Sequence, residues 1–192
     1  MQEVKKLPCD IHVYIVDASR GFDAVLENRL FAFLEDAART RALEKKTGRG
    51  EAIVADVLRQ YALYDAFGIL PCDQKTARTR EGKPYLTNHR DIFFNYSHSA
   101  GVVLCAVARR EIGADIQKIK PYHEALAEKL FPEAVEIRHL CDTEKATWFC
   151  RRWTEREAAA KLYGTGLFKP HENEGYYYTD TFQNHILTLA WF

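Results

Sequence analysis

Long apolar runs are scarce in this sequence of 192 residues. Near its start the longest one covers only residues 11–16. A run of that length is too short for the core of a signal peptide and far too short to cross a bilayer. We therefore expect no targeting signal, no membrane partner and a cytoplasmic location.

An excess of charge is also missing, because 27 lysines and arginines balance 27 aspartates and glutamates. A general nucleic-acid-binding surface usually carries a basic excess, so we expect no nucleic-acid partner. The five cysteines are odd in number, widely spaced and without a C-x-x-C pair. This pattern argues against a disulfide framework and a cysteine zinc site, and it predicts free thiols in a reducing compartment.

What is present is a grouped pattern of helices and strands. A 3.6-residue apolar stripe predicts a helix over 51–67 that Gly68 ends, and β-branched and aromatic residues predict a strand over 11–16. Further helices are expected at 24–34, 36–46, 122–130 and 143–163, and further strands at 92–96, 102–108, 112–116, 176–181 and 185–191. Such grouping favours an α+β fold over a doubly wound parallel sheet.

The segment Gly113-Ala-Asp-Ile-Gln117 comes at the end of a predicted strand. Alternate side chains of a strand share a face, so Asp115 and Gln117 point the same way. A carboxylate followed two residues later by a second oxygen donor can hold Mg²⁺, which prefers oxygen ligands. Taken alone, however, the segment is more simply interpreted as a solvent-facing strand end.

The segment Trp153-Thr-Glu-Arg-Glu-Ala-Ala-Ala-Lys161 is more informative. Helical spacing places Trp153, Glu157 and Lys161 on one face. A carboxylate and an ammonium group one turn apart can serve a metal ion and a phosphate together. Two structural alternatives remain open: Thr154 and Glu157 fit a capping box, and Glu157 and Lys161 fit a helical ion pair.

Polar and basic segments offer candidate phosphate contacts. Asn95-Tyr-Ser-His-Ser-Ala-Gly101 joins two predicted strands, and its His98 can contact a phosphate when it is protonated. The alternative is a polar turn that satisfies its own backbone. Lys83, between Gly82 and Pro84, is either an anion contact or a solvated lysine. A basic cluster could bind further phosphates or simply be solvated: Arg39, Arg41, Lys45, Lys46 and Arg49.

The order of these motifs says more than any one of them. The series G-K-P, N-x-S-H-S, G-x-D-x-[EQ] and W-[ST]-x-[KR]-E-x-x-x-K resembles the 4′-phosphopantetheinyl transferase superfamily, specifically its surfactin-synthetase-activating (Sfp-like) type. The resemblance runs from about residue 39 to residue 166. It implies an α+β fold of two similar lobes, here residues 1–101 and 102–192, with the active site between them.

The resemblance also implies an activity. Members of the family transfer the 4′-phosphopantetheine group from coenzyme A to a serine of an apo acyl or peptidyl carrier protein, with release of adenosine 3′,5′-bisphosphate. The implied catalytic residues are Asp115, Glu157 and Lys161. Mg²⁺ would be held by Asp115, Gln117 and Glu157. Coenzyme A would be contacted by Lys83, Ser97, His98, Lys161 and Arg39.

Gln117 departs from the family pattern, which often has Glu at this position. A neutral amide removes one negative charge, so weaker Mg²⁺ binding is expected. The same departure is the only feature that favours an alternative function, a non-catalytic module that binds coenzyme A or a carrier protein. In either case we expect a monomer.

Overall fold

The structure is a computed structural model that describes residues 1–21, 23–165 and 174–192. Its helices are α1 (Ala24–Ala32), α2 (Asp36–Glu44), α3 (Arg49–Phe67), α4 (Glu124–Leu130) and α5 (Asp142–Tyr163), with 3₁₀ turns at Pro71–Asp73 and Pro132–Ile137. Its strands are β1 (Gln2–Glu3), β2 (Ile11–Asp17), β3 (Thr76–Arg78), β4 (Pro84–Leu86), β5 (Phe93–Ser99), β6 (Val102–Ala108), β7 (Ile112–Lys118), β8 (Tyr176–Phe182) and β9 (His185–Trp191). The predicted α+β class is confirmed.

The first sheet has the order β2-β6-β5 and is antiparallel throughout. Its central strand, β6, is buried along its whole length. Val103 and Val107 face the side covered by Leu58 and Leu63 of α3. The alternate residues of β6 face the second sheet. Because both faces of β6 are covered, its sequence is a continuous apolar run.

The second sheet has the order β1-β8-β9-β7, in which β1 pairs parallel to β8 and the other pairs are antiparallel. Ala114 and Ile116 of β7 share one core with Leu104 of β6, so the two sheets pack face to face. The long helix α5 covers the opposite face, where Ala158 and Leu162 pack together with β9. None of the helices described here is long and apolar enough to cross a membrane.

The lobe boundary predicted near Gly101 falls inside the β5–β6 hairpin. β6 lies between β2 and β5 in one sheet, so, apart from the short strand β1, the chain passes from the first sheet to the second between Ala108 and Ile112. A turn at Gly101 can be inferred locally, whereas the pairing of β6 with the distant β2 cannot. The end of the motif resemblance, Gly166, lies outside the described residues.

Two local predictions need correction. The strand predicted to end at residue 96 continues to Ser99 as β5, so only Ala100 and Gly101 of the connecting segment form the turn. Both have positive φ, as a two-residue hairpin turn requires. The polar stretch around Gly82, for which no strand was predicted, carries the short β3–β4 ladder. Other predicted elements are confirmed to within a few residues at their ends.

Candidate active site

Helix α5 approaches strand β7 very closely at Gly113. A Cβ atom on this glycine would lie 2.1 Å from the carbonyl oxygen of Ala158 and 2.5 Å from the backbone nitrogen of Leu162. Any side chain here would therefore push the helix away from the strand. The glycine allows the polar residues of α5 to reach Asp115, two residues further along β7.

Asp115 is the centre of a buried polar cluster between β5, β7 and α5. Its side chain is only 2% exposed. Its Oδ1 accepts hydrogen bonds from Ser97 Oγ at 2.7 Å and from Lys161 Nζ at 2.8 Å. Lys161 Nζ also donates to Ser97 Oγ at 3.0 Å and to the Ala114 carbonyl oxygen at 3.1 Å. A carboxylate this deeply buried needs a cationic partner, which Lys161 provides.

The second oxygen of Asp115 has no such partner. Oδ2 is buried and accepts no hydrogen bond from the described residues. Glu157, one turn before Lys161 on α5, is close enough for the charge of Asp115 to act on it: burial and then Asp115 raise the pKa of Glu157, while Lys161 lowers it. The two carboxylates repel each other, and one oxygen of Asp115 has no hydrogen-bond donor among the described residues. Such a pair of oxygen donors suits a divalent cation. The residues therefore fit Mg²⁺.

Gln117 follows Asp115 on the same face of β7. Its Oε1 accepts a hydrogen bond from Ser99 Oγ at 3.3 Å. Over the described residues there is no group of three His, Cys, Asp or Glu side chains that could hold a metal ion. The candidate metal ligands are thus two carboxylates and one neutral amide, so the donor set carries less negative charge than one with Glu at this position.

The two structural alternatives for Glu157 are not supported. Helix α5 begins at Asp142, so Thr154 lies in its interior and cannot be a capping residue. Its hydroxyl instead forms a 2.9 Å hydrogen bond with Thr188 of β9. Lys161 forms its ion pair across the helix–strand contact with Asp115 rather than along the helix.

A cavity of about 330 Å³ opens beside this cluster. Its wall combines α2 and α3, the β3–β4 segment, β5 and the end of α5. The lining has more basic than acidic side chains. Its acidic residues are Asp56 and Glu81, and its basic residues are Arg41, Lys45, Arg78, Lys83, His98 and Lys161. Several cations around one concave space favour an anionic ligand with more than one phosphate.

His98 and Lys83 both line the cavity, as their motifs predict for phosphate contacts. The Nδ1 atom of His98 lies 2.7 Å from Glu51 Oε2. The pKa of His98 lies below its ordinary value. Burial lowers it most, and the nearby Lys45 and Lys161 lower it further, while Glu51 raises it. Lys83 Nζ donates to Glu111 and, at 2.8 Å, to the Leu162 carbonyl oxygen, which ties the β3–β4 segment to the end of α5.

Of the candidate coenzyme A contacts, Lys83, His98 and Lys161 line the cavity. Ser97 is not among the described lining residues but accepts a hydrogen bond from Lys161, and Arg39 lies away from the cavity. Its guanidinium donates to the Ala32 carbonyl oxygen at 2.8 Å and lies 3.4 Å from Asp36, and it is not among the described residues of the lining. Arg41 and Lys45 line the cavity instead. Arg41 belongs to α2, and Lys45 directly follows the helix with an extended backbone. No helical spacing therefore separates these two residues from Arg39 in the sequence.

Comparisons with known proteins support the assignment suggested by the motifs. The sequence model of the 4′-phosphopantetheinyl transferase superfamily matches residues 111–185, the part of the chain that contains β7 and α5. A 4′-phosphopantetheinyl transferase of Bacillus subtilis is 29% identical over 162 residues, which cover 82% of this chain and 72% of that protein. The transferase Sfp of Bacillus subtilis strain 168 is 26% identical over the same shares.

A third relative comes from a cyanobacterial source. The 4′-phosphopantetheinyl transferase HetI of Nostoc sp. (strain PCC 7120) is 35% identical over 165 residues, which cover 82% of this chain and 65% of HetI. This chain thus spans between 65% and 72% of these three relatives. The motif order, the family match and these relatives agree, and the chain belongs to the 4′-phosphopantetheinyl transferase superfamily, with Sfp-like members among its relatives.

Proposed function

We propose that this chain transfers the 4′-phosphopantetheine group of coenzyme A to a serine of an apo acyl or peptidyl carrier protein. The observation that carries the proposal is the position of Asp115, Glu157 and Lys161 beside a cavity with a basic lining. The relatives, which are named as transferases of this group, support the same reaction.

Coenzyme A would lie in this cavity with its phosphates against the basic side chains. The lining combines residues before Gly101, such as Arg41 and Arg78, with residues of α5 and its end, such as Lys161 and Gly164. This distribution supports an active site between two lobes. In the proposed arrangement His98 and Lys83 contact phosphates, and Ser97 lies beside the pocket, next to Asp115.

The reaction forms a bond between the carrier serine Oγ and the phosphorus that bears pantetheine. It breaks the bond from that phosphorus to the bridging oxygen, which leaves with adenosine 3′,5′-bisphosphate. Glu157 accepts the serine proton as general base, and its raised pKa favours that role. When bound by Asp115, Glu157 and Gln117, Mg²⁺ supplies positive charge that offsets the negative charge of the pyrophosphate.

Lys161 stabilises the leaving phosphate. All three of its N–H groups are used within the protein, by Asp115, Ser97 and the Ala114 carbonyl oxygen. Of these three hydrogen bonds, the one to Ser97 is the easiest to replace by a hydrogen bond to phosphate. The serine hydroxyl is a neutral acceptor, and it already donates to Asp115. Lys161 thus holds Asp115 in place and offers one donor to the phosphate.

We further propose that the enzyme acts as a monomer in the cytoplasm, without a nucleic-acid partner. One chain provides the whole candidate site, and the net charge is zero. The five cysteines are free, in agreement with a reducing compartment.

The direct test is to incubate the protein with Mg²⁺, coenzyme A and an apo carrier protein and to measure the mass of the carrier. The expected result is a gain of one 4′-phosphopantetheine group that needs both coenzyme A and Mg²⁺. A panel of fatty-acid, polyketide and peptide carriers would identify the acceptor. Tight binding of coenzyme A without a mass change on any carrier would favour the non-catalytic module.

Gln117→Glu should tighten the apparent Mg²⁺ affinity, on the order of tenfold, because it adds a carboxylate to a site that has two. The measurement is a Mg²⁺ titration of the transfer rate. Gln2→Glu, on the exposed strand β1, introduces the same charge far from the site and is the matched control. Overlapping titrations for Gln117→Glu and the wild type would show that residue 117 does not face the metal ion.

Arg41→Ala should raise the KM for coenzyme A by roughly tenfold or more, since a lost charged hydrogen bond costs about 1.5–3 kcal/mol. Arg39→Ala is the matched control, because its guanidinium contacts Asp36 and Ala32 instead. Both variants are measured with coenzyme A and with dephospho-coenzyme A. A loss confined to coenzyme A identifies the 3′-phosphate as the group that Arg41 binds. A larger effect from Arg39 than from Arg41 would contradict the placement of coenzyme A in this cavity.

A further inference from the structure

Glu51, in the first turn of α3, belongs to none of the sequence motifs but contacts two residues of the segment from Asn95 to Gly101. Its Oε1 accepts a hydrogen bond from the backbone N–H of Gly101, and its Oε2 lies 2.7 Å from His98 Nδ1. One carboxylate therefore contacts both the β5–β6 turn and the ring of a residue that lines the cavity.

The turn that Glu51 contacts has little freedom to move. Gly101 has φ +86°, and a Cβ atom on it would lie 2.4 Å from Ser19 Cα. The backbone N–H of Ala18 donates to the Gly101 carbonyl oxygen at 2.8 Å. Since Gly101 cannot move freely, its N–H group holds the Glu51 carboxylate in one position. From that position the carboxylate orients the His98 ring.

The orientation of the ring decides what His98 can offer a ligand. With Nδ1 facing a carboxylate, the proton of a neutral ring lies on Nδ1 and leaves only a lone pair on Nε2. A lone pair repels a phosphate oxygen. The protonated ring has N–H groups on both nitrogens and can donate from Nε2. In this geometry, His98 binds an anion only as an imidazolium.

Three charged groups act on this ring. Burial disfavours the imidazolium most, and Lys45, which directly follows α2, and Lys161 of α5 also disfavour it, so the pKa of His98 lies below its ordinary value. Glu51 of α3 is the group among these that favours the imidazolium. An acidic side chain next to an anion-binding cavity would by simple charge weaken the binding of anions. Its contact with His98 opposes that effect, because it favours the form of the ring that donates to an anion.

We propose that Glu51 is a positioning residue that orients the His98 ring and favours its imidazolium form, which donates to a phosphate of coenzyme A. The inference rests on the proposed function for the identity of the ligand. The geometric part, a carboxylate that fixes the turn and the ring together, is independent of the reaction.

Glu51→Gln provides the test, because its carbonyl oxygen can still accept from Gly101 while its amide donates to His98 Nδ1. The neutral ring then carries its proton on Nε2 and binds phosphate without being protonated. We expect coenzyme A to bind the variant about tenfold more weakly than the wild type at about pH 5.5, where a charged donor is lost. The ratio of the two dissociation constants should fall to one or below at about pH 8.5, because the wild-type ring is neutral there.

The measurement is calorimetric titration of coenzyme A at constant Mg²⁺ across this pH range. The ratio cancels the titration of coenzyme A itself, which is common to both proteins. In a His98→Ala background, Glu51→Gln should change the affinity by less than about twofold at every pH, since the residue it acts through is gone. Glu44→Gln, exposed on α2, removes the same charge and should give a ratio near one throughout.

A pH-independent ratio for Glu51→Gln, or an equal effect in the His98→Ala background, would overturn the inference and leave Glu51 with a role in holding the turn only. The mass assay on the wild type separates this outcome from failure of the proposed function. If the wild type transfers the group but the ratio of dissociation constants does not change with pH, the role of Glu51 is contradicted and the proposed function is not. A wild type that binds coenzyme A but modifies no carrier contradicts the function, and the ratio still decides the role of Glu51.

Discussion

Glu157→Gln is expected to abolish transfer while the fold stays intact. The substitution preserves shape but removes both a candidate metal ligand and the proposed general base. Loss of a general base alone costs about 10²–10⁴-fold in rate. With the metal ligand lost as well, we expect kcat to fall at least about 10³-fold, which corresponds to about 4 kcal/mol.

The same substitution should not lower the stability of the protein and is expected to raise it or leave it unchanged. Burial and the charge of Asp115 raise the pKa of Glu157 in the folded protein. For an acid, a raised folded-state pKa means that the ionised form destabilises the fold once the pH exceeds the unfolded-state pKa. Without Mg²⁺ at neutral pH, Glu157→Gln should therefore melt at the same temperature as the wild type or higher.

The measurements are the rate of carrier modification by mass and thermal unfolding with EDTA. Glu155→Gln is the matched control on the same helix, because Glu155 is ion-paired with Arg152 at 2.7 Å. It should retain transfer and, because burial raises the pKa of Glu155 as well, it should not melt below the wild type at neutral pH. Turnover near the wild-type rate in Glu157→Gln, together with a lower melting temperature, would show that Glu157 has a structural role only.

Local periodicity was sufficient to predict which side chains share a face, whereas their candidate roles came from the motif order. Strand alternation placed Asp115 and Gln117 on one face of β7, and helical spacing placed Glu157 and Lys161 on one face of α5. The structure agrees with both placements. No local pattern predicted how close the face of β7 lies to the face of α5. That distance depends on the backbone contact at Gly113, whose meaning is evident only once α5 and β7 are packed together.

The remaining differences also involve residues far apart in the chain. The pairing of β6 with β2 moves the boundary between the sheets, although each strand was predicted correctly. Glu51 and His98 are distant in sequence and belong to different elements, so no spacing rule relates them. Arg41 could not have been preferred over Arg39 from the sequence, because the choice depends on which face of α2 meets the cavity.

Lys161→Met is expected to destabilise the protein strongly when Mg²⁺ is absent. Asp115 is 2% exposed, and Lys161 is its ion-pair partner among the described residues. Removing one member of a buried ion pair leaves an uncompensated charge and costs roughly 3–5 kcal/mol. Methionine keeps most of the apolar stem of lysine, so the loss reports the missing ammonium group. Because a cation bound at the same carboxylates would offset the unpaired charge, added Mg²⁺ should restore part of the lost stability.

Denaturant unfolding with EDTA and with Mg²⁺ measures this effect, and steady-state kinetics measures the catalytic one. Since the negative charge of the leaving group grows in the transition state, kcat should fall by a larger factor than the KM for coenzyme A rises. The double variant Asp115→Asn/Lys161→Met removes both charges and is the control: it should regain stability in EDTA but remain inactive. If the single variant unfolds in EDTA at the wild-type denaturant concentration, Asp115 does not depend on Lys161 for its charge balance. If the double variant is no more stable than the single one, the loss comes from packing around residue 161 and not from an unpaired carboxylate.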